Sequence, residues 1–356
     1  MKITRRTAIA AFAAFGALAL AGPALAAKRT DFKVAWSIYV GWMPWGYASD
    51  SGIVKKWADK YRLTITVTQF NDYVESMNQY TAGAYDAVTL TNMDGLSIPA
   101  AGGVDTTAVI VGDFSAGNDA VFLKGPGKLA DIKGRPVNLV QFSVSDYLLA
   151  RALESVGMSE KAVTVVNTAD PDMVGAFQTK DVTAMVTWNP MVSELAKLPD
   201  ATKVFDSAQI PGEIIDLMVA NTATLTDNPD FGKALAGIWY ETTALMTATT
   251  PQGAAARAAM GKASGTDQAG FEAQLAATKL FAKPADAVAF TTSPDLGKTM
   301  DRVRGFLFDK GLLGTGAKSA DAVGIELPDG RVLGDKANVK LRFGDAYMKM
   351  AAAGSL

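Results

Sequence analysis

The sequence predicts an α/β protein of two lobes, with a C-terminal helical segment packing on the first lobe. Three observations lead there. Strand-like and helix-like segments alternate from Lys33 onward, the order of a mostly parallel sheet covered by helices. That order restarts near Ala120, and from Asp230 the chain turns mainly helical.

Lys33 to Ile38 reads as the first strand and Trp45 to Tyr61 as a helix that tolerates Gly52. Leu63 to Phe70 alternates Thr with Val and Ile, a strand pattern. Val74 to Ala82 is a helix, Ala87 to Thr91 a strand, Leu96 to Ala101 a short helix and Thr107 to Val111 a strand. In the second unit, Ala120 to Leu123 and Pro136 to Val140 are strands, and Ser145 to Val156 is a helix. Val163 to Val166, Ala184 to Thr187 and Ile214 to Ala220 are further strands. Ile238 to Ala248, Ala269 to Ala277 and Leu296 to Lys310 are helices, with helix and loop over 249–268. The lobes are read as 27–118 plus 221–356, and 119–220.

The N-terminus carries Lys2, Arg5 and Arg6, an apolar run from Ala8 to Ala21, and Ala24-Leu25-Ala26. That three-part order reads as a cleaved export signal over 1–26, by the general route or the twin-arginine route. Its removal takes away three basic residues and no acid, moving the net charge from −2 to −5. A periplasmic protein is expected.

Composition narrows the chemistry. With 49% hydrophobic and 20% charged residues, the chain can fill a core. It contains no His and no Cys. That excludes a Ser-His-Asp triad, a Cys nucleophile, imidazole or thiolate zinc sites and disulfides. No basic block points to nucleic acid. No cofactor and no metal are expected.

Ligands of open α/β sheets sit beyond the carboxyl ends of strands. Tyr39, Trp42 and Trp45 follow the first strand, and Asp72 and Tyr73 the second. Thr91, Asn92 and Asp94 follow the third, Ser143 and Ser145 open a helix, and Trp188 and Asn189 close another strand. Asp216 lies inside an apolar run where the chain crosses back, a costly place for a carboxylate without a partner. The candidate ligand set is Tyr39, Trp45, Asp72, Thr91, Asn92, Asp94, Ser143, Trp188 and Asp216. Each also has a structural reading: Trp45 and Trp188 as core packing, Asp72, Asp94 and Ser143 as helix caps, Asp216 as half of an ion pair. As a set they hold acids, amides, hydroxyls and aromatic rings, without Lys or Arg. Carboxylates beside aromatic faces suit a cation, and a planar guanidinium could fork onto one and stack on the other.

These residues sit in an order that resembles the periplasmic solute-binding proteins of nitrate/sulfonate/taurine-type ABC transporters. The resemblance runs through Val34-Ala35-Trp36 to Pro44-Trp45, Gly83-Ala84-Tyr85-Asp86-Ala87 and Ala100-Ala101-Gly102-Gly103. It continues through Gly117-Asn118-Asp119-Ala120, Leu129 to Gly134, and Val186-Thr187-Trp188-Asn189-Pro190. Thr91-Asn92-Met93-Asp94 and Val111-Gly112-Asp113-Phe114 are similar to the subgroup encoded beside urea carboxylase. The resemblance implies a type II periplasmic-binding-protein fold that grips a small-molecule ligand between its lobes. It implies ABC permease and ATPase subunits as partners of a monomer, no enzyme activity, and a small nitrogen compound such as guanidinium, urea or an amine. Two rivals stand beside it: an anion or sulfonate binder using the helix N-terminus at Ser143, and an exported enzyme on the scaffold shared with pyrimidine-precursor synthesis.

Overall fold

The second, third and fourth strands of the first unit are rich in Val, Ile and Thr. The computed structural model describes residues 28–356, so the export signal read over 1–26 lies outside the described residues. The strands are β1 (Asp31–Ser37), β2 (Thr64–Phe70), β3 (Ala87–Thr91), β4 (Thr106–Ser115) and β5 (Asp119–Lys124). They continue as β6 (Pro136–Leu139), β7 (Thr164–Asn167), β8 (Ala184–Trp188), β9 (Ala201–Asp206) and β10 (Ile215–Asn221). β11 (Thr278–Leu280), β12 (Gly324–Glu326), β13 (Val332–Leu333) and β14 (Val339–Phe343) complete the set.

Two sheets result, one in each lobe. The first runs β13-β12-β14-β4-β10-β3-β1-β2, with β11 also paired to β4. The second runs β7-β6-β8-β5-β9. β1 is parallel to β2 and β3, while β10 runs antiparallel between β3 and β4. Every residue of β3 is buried, as expected for a central strand covered on both faces. The chain leaves the first sheet after Ser115 and returns to it at Ile215.

Three expectations are corrected. The helix read over Trp45 to Tyr61 is two helices, Met43–Asp50 and Ile53–Tyr61, because Gly52 adopts φ +83° and turns the chain between them. β10 belongs to the first sheet, so the return crossing falls before Ile215 rather than after Ala220. The C-terminal segment is not only helical: β12, β13 and β14 extend the first sheet, with β14 parallel to β4. Those strands are three, two and five residues long, too short to register as a period-2 pattern.

Candidate functional site

β10 enters the first sheet at its crevice edge, and its position sets the site. Asp216 stands opposite Thr91 of β3 on one side and opposite Asp113 of β4 on the other. In the second sheet, Asp119 at the start of β5 stands opposite Trp188 at the end of β8. Between the two sheets lies a cavity of ≈ 10 Å³, room for about one water molecule. Its walls are Tyr39, Trp42, Tyr73, Thr91, Asp119 and Asp216, with Val144, Trp188 and Ile214. Two carboxylates, one from each lobe, therefore face an aromatic enclosure that contains no Lys or Arg.

The rings support one another. Trp42 meets Tyr39 edge-on at 5.1 Å and Tyr73 at 5.4 Å between centroids, and Tyr73 meets Trp188 at 5.7 Å. All four are at least nine-tenths buried. Such pairs hold their faces in fixed directions, which rotamer freedom would otherwise blur.

Asp94 lies one layer behind the cavity. Its Oδ2 accepts from the Tyr73 hydroxyl at 2.7 Å, from the Thr91 hydroxyl at 2.9 Å and from the Val144 amide at 3.4 Å. Val144 begins the helix Val144–Ser155 of the second lobe. The carboxylate of one lobe thus occupies the positive end of a helix of the other. Burial pushes Asp94 up to about 7, against the pull of those donors. Asp119 is also pushed up to about 7 by burial, opposed by the Ser115 hydroxyl. Asp113 and Asp216 stand opposite each other on adjacent strands and both are raised, first by burial and, for Asp216, by the charge of its neighbour. The Tyr39 hydroxyl lies 3.5 Å from Asp113 Oδ1 and accepts from the Asn118 amide at 3.4 Å. Among the described residues, no three acidic side chains converge closely enough to hold a metal ion.

The structure brings together Tyr39, Thr91, Trp188 and Asp216 of the sequence-derived set, with Asp94 directly behind. The others are placed elsewhere. Asp72 caps the helix Tyr73–Thr81, accepting from the Glu75 amide at 2.9 Å. Trp45 stacks on Trp239 at 5.9 Å and is not part of the cavity wall. Asn92 ties the crossover down, accepting from the Ile215 amide at 3.0 Å and donating to the Glu213 carbonyl at 3.1 Å. Ser143 caps its own helix, with the Ser145 amide 3.2 Å from its hydroxyl. Asp72, Asn92 and Ser143 carry polar groups because helix ends and crossovers need them, and Trp45 carries a ring for core packing, which is why residue type alone did not separate the four from the site.

Asp113 and Asp119 were missed, and so were Trp42 and Tyr73 as wall residues. Asp113 is inside β4 because that strand runs on to Ser115 instead of ending at Val111. The signal was present: Asp113 sits between Gly112 and Phe114 in an apolar run, the same criterion that singled out Asp216.

Residues 63–254, more than half of the chain, match the family described as NMT1/THI5 like. The chain belongs to that family. It is 24% identical over 164 residues to a protein of Brucella abortus (strain 2308) named as a candidate binding protein, covering 44% of this chain and 50% of that one. It thus spans about half the length of the curated relatives it matches. The alkanesulfonate-binding protein SsuA from Xanthomonas axonopodis pv. citri, solved bound to MOPS, superposes with a TM-score of 0.66 at 16% identity, over 83% of this chain and 99% of that one. The periplasmic nitrate-binding protein NrtA from Synechocystis PCC 6803 does so with a TM-score of 0.57 at 11% identity, over 91% and 99%. At these identities the likeness is one of fold. The NMT1/THI5-like chain therefore has the two-lobed periplasmic-binding-protein fold, with its cavity where the two lobes meet.

Proposed function

We propose that this protein is the extracytoplasmic substrate-binding component of an ABC transporter, and that its cargo is a small nitrogenous cation, guanidinium foremost. The observation that carries the reading is the cavity wall: Asp119 and Asp216 reach it from opposite lobes, among Tyr39, Trp42, Tyr73 and Trp188, with no basic side chain. Buried carboxylates have no internal counter-ion there, and a cation would supply one. Aromatic faces add cation–π attraction, which strengthens when water is excluded.

The cavity is too small for guanidinium as it stands, so the lobes part to admit the ligand and close on it. The crossings at 116–118 and 207–214 are the segments that would bend. Residues 1–26 would direct export, 27–115 and 215–356 would form the first lobe, and 119–206 the second. A permease and an ATPase would receive the cargo from a monomeric binding protein that turns nothing over. The resemblance of Thr91-Asn92-Met93-Asp94 and Val111-Gly112-Asp113-Phe114 to the urea carboxylase-associated subgroup fits the same nitrogenous cargo, with urea or a small amine as further candidates.

An anion is disfavoured. The helix N-terminus that could hold one already faces Asp94, which accepts the Val144 amide. An anion would have to displace that carboxylate and then lie beside two more.

Calorimetric titration of the purified protein with guanidinium, urea, taurine and nitrate tests the reading. Guanidinium is expected to bind with the highest affinity. Binding of nitrate or taurine without guanidinium would reverse the assignment.

A further inference from the structure

Asp113 and Asp216 form a pair that the cavity wall alone does not explain. They are register partners on adjacent antiparallel strands, so their side chains share one face of the sheet. Asp113 is 0% exposed and Asp216 3%. The Oδ2 atom of each is buried without a hydrogen-bond partner. Gly41 allows this placement, since a Cβ there would lie 2.5 Å from Asp113 Oδ2.

The groups around the pair are acidic or neutral. Tyr39 and Asp119 face it across the cavity, with Asp94 and Tyr73 beyond. Lys279 of β11 is exposed, and Leu280 is the residue paired with Asp113. Among the described residues, neither carboxylate makes an ion pair with Lys or Arg. On the far side lies a second chamber of ≈ 10 Å³, lined by Trp42, Trp45, Thr89 and Trp239 together with Asp113 and Asp216. The indole nitrogens of all three tryptophans and the Thr89 hydroxyl are likewise buried without partners. One water there could accept from an indole and donate to a carboxylate, but it would bring no charge.

Two buried carboxylates facing the same side of adjacent strands, without a cation, cannot both be ionised in such surroundings. We propose that the protein exchanges the proton shared by Asp113 and Asp216 for its cationic cargo, so that capture releases a proton and tightens as pH rises. The inference rests on the cation reading above. In the empty protein one O–H···O⁻ bond joins the pair. When the cation settles against Asp216, its charge replaces that of the proton, which leaves to solvent while the lobes are still open. Closure then seals a site whose net charge is unchanged. The same logic sets selectivity: a neutral amide such as urea brings no charge and should release no proton.

The experiment is calorimetric titration of guanidinium chloride into the protein at about pH 6.5, in two buffers of different ionisation enthalpy. About one proton released per cation is expected, with the apparent Kd falling up to about tenfold per pH unit on the acid side of the pair's titration. In Asp113→Asn, Asp216 loses its acidic neighbour but keeps its burial, and Asp119 still contributes, so the release should fall below the wild-type value without vanishing. Should the wild-type protein bind guanidinium with no proton release, the exchange is refuted and the cation reading stands. Equal release from Asp113→Asn and wild type would place the proton elsewhere and also refute it. If guanidinium does not bind, the cation reading itself falls. Were Asp113→Asn not to fold, the pH dependence of wild-type Kd decides alone: no dependence overturns the exchange.

Discussion

The Tyr73 hydroxyl donates to Asp94 Oδ2 at 2.7 Å while accepting the Thr91 amide at 2.9 Å. One phenol thus joins a helix, the end of β3 and the carboxylate that meets the second lobe at Val144. Removing it leaves Asp94 with one donor fewer and the Thr91 amide without its acceptor. Tyr73→Phe should lower unfolding stability by about 1–3 kcal/mol, the cost of stranding buried polar groups. Thermal unfolding of the ligand-free protein followed by circular dichroism measures it, and an unchanged melting temperature would contradict this account.

Asp72 provides the contrast. It caps the helix Tyr73–Thr81 without itself reaching the cavity wall, so Asp72→Ala should destabilise by about 1 kcal/mol. Guanidinium affinity measured on the folded protein should not move. A large affinity loss would return Asp72 to the site.

The rings that wall the cavity should matter in the opposite sense. Trp188→Ala removes a ring that packs edge-on against Tyr73. Loss of a desolvated cation–π contact of about 2 kcal/mol corresponds to a roughly thirtyfold rise in the guanidinium Kd. Urea, if it binds, should respond less because it is uncharged. Equal losses for both ligands would point to packing rather than charge recognition.

Buried acids also set the pH dependence of stability. Asp94 and Asp119 hold their protons up to about 7 in the folded protein, whereas an unfolded Asp titrates near about 3.9. Folding therefore takes up protons between those values. The contribution is complete below the unfolded pKa and is lost as pH rises through about 7. The ligand-free protein should melt several degrees lower at about pH 8 than at about pH 5. Thermal scans monitored by circular dichroism would show it; a higher melting temperature at pH 8 would contradict it. Saturating guanidinium should narrow the difference.

The strands that carry the crevice were legible because each is a run of apolar and β-branched residues ended by a turn. Ala87 to Thr91 is an example, read from sequence with the bounds it has in the structure. The short edge strands β12 to β14 were not legible, since pairing with β4 rather than their own pattern makes them strands. The same division applies to the site. Asp216 was found because an acid in an apolar run has a visible cost. Asp119 was not, because its neighbour across the sheet, Trp188, is nearly seventy positions away and only the register brings them together. Asp72 and Trp45 were chosen on residue type, and type does not reveal which way a side chain points.

The second sheet draws every strand from one uninterrupted stretch, Asp119 to Asp206. The first draws on Asp31 through Phe343 and closes on β14, close to the end of the chain. During synthesis, the inner lobe can assemble from neighbouring segments while the outer one still lacks a strand beside β4. Long-range pairing of that kind is slow and leaves a sheet edge open. In the export reading proposed above, taken by the general route that carries chains unfolded, such a delay would be useful.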